Sequence, residues 1–219
     1  MAGGYRKVTD LPGLVPVFPL DGALLLPGCQ LPLQIFEPRY LNMVDDAMSG
    51  HRLIGMIQTS AGGDRTRPRL AEVGCVGRVT AYAETGDGRY LITLTGVCRF
   101  DAGEELDIDT PYRQVRPEFG RFACDLEADE TPLALDRDPF LATLRRYLDH
   151  KGLSVEWDAA KQAPAGSLVN SLAMHLPLDP AEKQALLEAP TLADRSNVLT
   201  ALLEIDAAAD NDDEPPPLQ

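Results

Sequence analysis

The side chains best suited to catalysis are scattered along this sequence of 219 residues and do not form a group. The three histidines, His51, His150 and His175, each lie at the predicted carboxyl end of a helix. An imidazolium at that position interacts favourably with the helix dipole, which favours a structural role over a catalytic one. Their spacing does not bring two of them together as metal ligands, so no metal site is predicted.

The four cysteines also lack the spacing of a metal or redox site. No C-x-x-C pair occurs, and disulfides are not expected in a chain without an export signal. Cys75 and Cys98 fall in alternating apolar runs, where a cysteine usually behaves as a small buried hydrophobe. Cys29 and Cys124 are left as candidate nucleophiles of an unrecognised hydrolase, which labelling with a thiol-reactive probe would test.

Sequence motifs of the common enzyme classes are missing. There is no glycine-rich phosphate loop, no G-x-S-x-G elbow and no H-E-x-x-H pair. A serine–lysine dyad would need a lysine, and lysine occurs only at Lys7, Lys151, Lys161 and Lys183, in contexts typical of exposed side chains. The sequence therefore predicts no catalytic residue and no cofactor, and we expect a protein that is not an enzyme.

Acidic residues outnumber basic ones, 34 to 20, which gives a net charge of −14. Because phosphate contacts need Lys and Arg, this balance argues against DNA, RNA and anionic lipid as partners. A local basic patch at Arg65, Arg67 and Arg69 is the exception to consider. No apolar run is long enough to span a membrane, and no apolar leader is present, so we expect a cytoplasmic protein.

Residues 13–120 alternate apolar and polar side chains with a period of two, which is typical of strands. Residues 14–20 contain two prolines and are predicted to be an edge strand. The clearest hairpin joins residues 73–84 to 89–101 through the turn sequence Thr85-Gly-Asp-Gly. On its second strand Arg99 points away from the apolar face, so that side is predicted to be wet or only partly covered.

One helix is predicted within this β-rich part, from Pro38 to its end at Gly50. Residues 53–57 are predicted to be a buried strand, 60–69 a polar loop and 112–119 a final strand. Gly and Pro recur at the strand ends, which favours a closed or half-closed barrel over a flat sheet.

From about residue 132 the hydrophobic period changes to 3.6, which predicts four or five short helices packed as a bundle. The sequence thus predicts an α+β protein in which a β-rich barrel is followed by an all-α helical bundle. Its parts are a flexible stretch (1–12), a β-rich subdomain (13–120), a helical subdomain (121–205) and a disordered acidic tail (206–219).

Several motifs resemble the N-terminal, substrate-binding domain of the Lon proteases, and in particular small bacterial proteins that consist of this domain alone. The matching segments are P-V-F-P-L at 16–20, P-G at 27–28, L-P-L at 31–33, the helix start at 35–40, Leu94, Gly96, Arg99 and Phe100, and residues 173–187. The resemblance covers about residues 13–205 and implies a PUA-like barrel followed by helices. Full Lon proteases continue into ATPase and serine–lysine protease modules that this sequence does not contain, so no catalytic residue carries over.

Together these observations predict a non-catalytic module that binds polypeptide segments or a partner protein through apolar surface and an exposed strand edge. The candidate residues are Pro27, Gly28, Leu31, Pro32, Phe36, Glu37, Arg39 and Tyr40. A purely structural role for this segment, with Phe36 and Tyr40 in the core, is the other interpretation. The expected partner is an unfolded client or a separate protease. The sequence does not define the oligomeric state, and RNA or nucleotide binding is the alternative function.

Overall fold

The computed structural model of the chain describes residues 4–64, 67–127 and 133–209. The strands are β1 (Val15–Pro19), β2 (Gln30–Ile35), β3 (Leu53–Asp64), β4 (Arg67–Glu84), β5 (Tyr90–Asp101) and β6 (Arg113–Val115). The helices are α1 (Pro38–Ser49), α2 (Arg137–Lys151), α3 (Trp157–Gln162), α4 (Ala165–His175), α5 (Pro180–Glu188) and α6 (Leu192–Ala209), and Val8–Asp10 and Gly120–Leu126 are 3-10 segments. These elements form two units: residues 4–127 with 177–187, and residues 133–176 with 188–209.

The six strands of the first unit form one sheet in the order β2-β5-β4-β3-β1-β6. Neighbouring strands are antiparallel except for β1 and β3, which are parallel. Beyond β6, Glu118 and Asp101 at the end of β5 exchange two backbone hydrogen bonds of 2.9 Å. Hydrogen bonding therefore returns from the β6 side to β5 and closes five strands into a ring, while β2 remains outside it as an edge strand.

Strand β1 is not an edge strand, so that prediction is wrong. It pairs with β3 over residues 17–19 and with β6 over residues 15–17. Each of its prolines lies where the strand has a partner on one side only, Pro16 beside β6 and Pro19 beside β3. A proline is tolerated there because no second ladder needs its missing N–H group.

The β4–β5 hairpin is confirmed, but the polar loop predicted at 60–69 is not. Residues 60–64 continue β3, and residues 67–69 begin β4. The pairing contains register shifts between Ile57 and Thr59 and between Ser60 and Gly63. Gly62 and Gly63 have φ values of +103° and +86°, which glycine adopts easily. These bulges place extra residues within a strand, so the segment has the composition of a loop.

Helix α1 begins at Pro38 and ends before Gly50, as predicted, and buries Tyr40, Met43, Val44 and Ala47. Two tyrosines hold its outer side. The Tyr112 hydroxyl donates to Asp46 at 2.6 Å, and Tyr90 is hydrogen-bonded to Asp45. The hydrogen bond to Asp45 raises the pKa of Tyr90, whereas burial and the bond to Asp46 raise the pKa of Tyr112.

Arg99 is buried, 2 % exposed, where the sequence predicted a wet or partly covered face. Asp125 accepts hydrogen bonds from its backbone N–H and Nε at 2.9 Å and from Nη2 at 2.8 Å. Nη1 donates to the Leu187 carbonyl at 3.0 Å, and the guanidinium lies 4.4 Å from the Phe122 ring centroid. The covering groups lie 26 and 88 residues further along the chain, which is why the local alternation could not indicate them.

Helix α5 packs with the strands, although the sequence placed it in the helical subdomain. Lys183, expected to be exposed, is buried and donates from Nζ to the Gly22 carbonyl at 2.7 Å. Burial lowers the pKa of Lys183. Gln58 donates to the Pro180 carbonyl at 2.9 Å and to Gln184 at 3.1 Å. Residues 121–127 and 177–187 thus belong to the β-rich unit, so the division differs from the predicted boundary after residue 120.

The second unit contains α2, α3, α4 and α6. Arg137 donates at 2.7–2.9 Å to the carbonyls of Ala160 and Lys161 in α3 and of Ala163, the residue directly after it. Helix α6 reaches Ala209, so residues 206–209 are helical although the sequence predicted a disordered tail from 206; residues 210–219 of that tail lie outside the described part. At the other terminus, Leu11 is buried within the stretch predicted to be flexible. No described helix is long and apolar enough to cross a bilayer.

Candidate functional site

The predicted binding residues follow one stretch of chain, from the turn before β2 to the first turn of α1, but differ widely in accessibility. Pro27 and Leu31 are half-buried, and Gly28, Pro32 and Arg39 are exposed. Gly28 has a φ of +75°, and its N–H donates to the Gly96 carbonyl at 2.9 Å. The turn thereby fixes the start of β2 against β5.

Tyr40 belongs to the core, at 6 % exposure. Its ring centroid lies 4.2 Å from that of Phe18, and the Arg39 guanidinium covers the ring at 4.5 Å. Burial raises the pKa of Tyr40. The Tyr40 side chain is therefore not available at the surface.

Phe36, by contrast, is 63 % exposed. Next to it, Glu37 and Arg39 form an ion pair at 2.8 Å between half-exposed side chains. Such a pair contributes little to stability, but it leaves this end of β2 without net charge. Phe36 is thus an accessible apolar side chain beside a neutralised pair.

Strand β2 is the open edge of the sheet, and its proline defines which backbone groups face outwards. Pro32 pairs with Thr93 although it has no N–H, so this is a non-hydrogen-bonded pair of the β2–β5 ladder. Backbone groups of Gln30, Pro32 and Gln34 therefore point away from β5. They comprise three carbonyls and the two N–H groups of the glutamines, and no strand of the described residues pairs with them.

A shallow groove of about 490 Å³ lies beside this edge, and we name it the edge groove. Cross-strand partners share a face of the sheet, and its outer face consists of Pro32, Gln34, Ala81, Ala83, Leu91 and Thr93. Leu33, Ile92 and Tyr82 complete the lining. Leu91 is 46 % and Tyr82 40 % exposed, and none of the nine lining residues carries a charge. The groove is thus an exposed neutral surface on a chain whose net charge is −14.

The structure brings only Pro32 of the predicted residues into the edge groove, with Phe36 close by in sequence. The β4 and β5 residues were missed because β5 meets β2 only through pairs of residues 57 to 61 positions apart in sequence, such as Gln34 with Leu91, and β4 joins through β5. One local signal was present. Leu91 lies between Arg89 and Thr93 at an outward position of β5, where the alternation of apolar and polar residues predicts a polar side chain.

A second pocket, of about 360 Å³, is lined by Arg39, Arg67 and Arg113 together with residues 106–108 and 110–112. Glu105 accepts from Arg113 at 2.5 and 2.8 Å and from Arg67 at 2.7 Å. These hydrogen bonds, that of Arg113 above all, hold the pKa of Glu105 below its ordinary value. Arg39 is paired with Glu37, and Arg67 and Arg113 share Glu105. Asp107 also lines the pocket, so the three arginines are balanced by three carboxylates.

The cysteines differ in accessibility. Burial raises the pKa of Cys75 well above its ordinary value and raises that of Cys98 to about 12, so both are protonated at neutral pH. Cys29 is half-buried and Cys124 exposed. Among the described residues, no three His, Cys, Asp or Glu side chains are grouped as a metal site would require.

Comparison with known proteins identifies the relatives of this fold. Residues 14–204 match the family model of the ATP-dependent protease La (LON) substrate-binding domain. The Lon proteases of Roseiflexus castenholzii and Syntrophus aciditrophicus are 25 % and 26 % identical over 89 % and 90 % of this chain. The chain spans about a quarter of the length of these relatives, 24 % and 26 %.

Two solved structures share the fold. The Lon N-terminal domain protein from Xanthomonas campestris superposes with a TM-score of 0.62 at 24 % identity, covering 86 % of this chain and 97 % of that one. The N-terminal domain of Mycobacterium avium complex Lon protease gives 0.61 at 17 % identity, covering 87 % and 98 %. The predicted fold class, a β-rich barrel followed by helices, is confirmed. The chain belongs to the Lon substrate-binding domain family.

Proposed function

We propose that this protein is a non-catalytic module that binds extended segments of other polypeptides at the edge groove. The observation that carries the proposal is the coincidence of an unpaired strand edge with an exposed neutral groove. Family membership supports it, because the matching domain is described as substrate-binding. The bound partner is an unfolded client, which a separate protease would then be able to take over.

The test measures binding of a fluorescently labelled, natively unfolded protein such as casein. Leu91→Asp places a charge at the centre of the groove and is expected to weaken binding roughly tenfold or more, since a buried unpaired charge costs several kcal/mol. Ile108→Asp is the matched control, because Ile108 is 42 % exposed in the same unit but lies outside the groove. Equal binding by Leu91→Asp and the wild type would refute the proposal.

Point substitutions are preferable to deletion of the whole segment 24–40. Leu24, Leu25 and Leu26 are at most 2 % exposed, so their loss would unfold the barrel. RNA binding, the alternative function, has no cationic groove to support it among the described residues. Tight RNA binding with a steep salt dependence would favour RNA binding over polypeptide binding as the function.

A further inference from the structure

The outer side of β2 and the edge groove are geometrically coupled. An extended chain that pairs antiparallel with Gln30, Pro32 and Gln34 would place the side chains of its hydrogen-bonded residues on the same face as Pro32 and Gln34. That face is the outer face of the groove. Backbone pairing and side-chain contact would therefore involve the same alternate residues of the bound segment.

We propose that the bound polypeptide is added to the sheet as a further, antiparallel strand beside β2. Its alternate residues are uncharged and aliphatic. This inference rests on the proposed function, because it specifies how the same site binds its segment. All nine lining residues are uncharged, so a charged side chain directed into the groove would lose its hydration without gaining a partner.

Pro32 argues against a second copy of this chain as the occupant. Two antiparallel β2 strands centred on Pro32 would bring two prolines face to face, and the centre of the ladder would have no donor. When a different polypeptide pairs with β2, only one proline interrupts the ladder, so only the N–H group of Pro32 is missing. The edge is thus open to a foreign strand and unfavourable for self-association.

N-methylated peptides test strand addition directly. The probe is a fluorescent peptide that alternates valine and serine and has a lysine at each end. In an added antiparallel strand the valines lie over the groove and direct their N–H groups to β2. N-methylation of the two central valines is therefore expected to weaken binding roughly tenfold or more, since hydrogen bonds are lost and bulk is added. N-methylation of the two central serines is the matched control and should leave affinity nearly unchanged.

The outcomes separate this inference from the proposed function. If methylation of the serines weakens binding as much as or more than methylation of the valines, or if neither does, antiparallel strand addition is wrong, while the function stands provided that Leu91→Asp still weakens binding of the unfolded client. A concentration-dependent dimer that Leu91→Asp abolishes would identify a second copy as the occupant and overturn the inference.

Discussion

Removing the Asp125 carboxylate should destabilise the β-rich unit by about 3–5 kcal/mol, because it leaves a buried guanidinium without its counter-charge. The carboxylate accepts three of the hydrogen bonds of Arg99, and the two side chains are 3 % and 8 % exposed. Burial alone would lower the pKa of Arg99, but Asp125 more than offsets this and the pKa is raised. Asp125→Ala is expected to lower Tm by roughly 6–20 °C for a chain of this size.

The second arm of this experiment replaces both partners. Arg99→Met combined with Asp125→Leu removes the charges and keeps most of the volume, and a buried ion pair exchanged for apolar groups is often close to neutral. The double variant should therefore be more stable than Asp125→Ala alone. The Arg99 bond to the Leu187 carbonyl is still lost, at a cost of about 1–3 kcal/mol.

Urea unfolding followed by far-ultraviolet circular dichroism measures both arms, and the single variants Arg99→Met and Asp125→Leu complete the double-mutant cycle that isolates the pairwise energy. A loss below about 1 kcal/mol in Asp125→Ala would show that the guanidinium finds water or another partner. A double variant as unstable as the sum of the single changes would show that the residues act independently. Either result would refute the account of Arg99 as a paired, buried charge.

Four further outcomes are expected. Gly96→Ala should lower the free energy of unfolding by about 3 kcal/mol or more, because its Cβ would lie 2.1 Å from the Leu26 carbonyl oxygen. Gly86→Ala is its control: with nothing within 4 Å of the added Cβ, it should lower the free energy of unfolding by less than about 1 kcal/mol in the same thermal melt. Glu105→Gln should lower the free energy of unfolding by about 1 kcal/mol at pH 7. Because the pKa of Glu105 is depressed below 4.5, this difference should be present above pH 4.5 and disappear as the pH falls through the depressed pKa. Urea unfolding at a series of pH values measures it. Arg137→Ala should loosen α3 by about 1–2 kcal/mol, read out by the fluorescence of Trp157, the only tryptophan, and Lys161→Ala is its control. Pro32→Val restores an edge donor and should produce concentration-dependent self-association in sedimentation velocity, and its absence would contradict the role given to this proline.

The sequence predicted those elements whose signals are local. Pro38 and Gly50 define helix α1 at its two ends, and the Thr85–Gly88 turn defines the β4–β5 hairpin. The parallel pairing of β1 with β3 could not be predicted in this way, because about 40 residues separate the paired positions, as in Val17 and Gly55. The burial of Arg99 was missed for the same reason.

For the candidate site, sequence reasoning found one side and missed the other. Pro32 and Phe36 were identified from the β2 region itself, whereas Leu91 and Tyr82 reach the groove through the fold of the hairpin. Tyr40 shows the limit of reasoning from a motif: its aromatic ring suits a binding surface equally well, and only the position of Phe18 decides that it lies in the core.

The course of the chain between the units constrains how this protein can change over evolution. The polypeptide leaves the β-rich unit before α2, returns for residues 177–187 and leaves again. A gene truncated before α2 would lose α5, and Gln58 and Arg99 would lose the backbone acceptors that α5 supplies. A single recombination crossover before α2 therefore cannot delete or exchange one unit and leave the other intact, and we expect the two units to be inherited together.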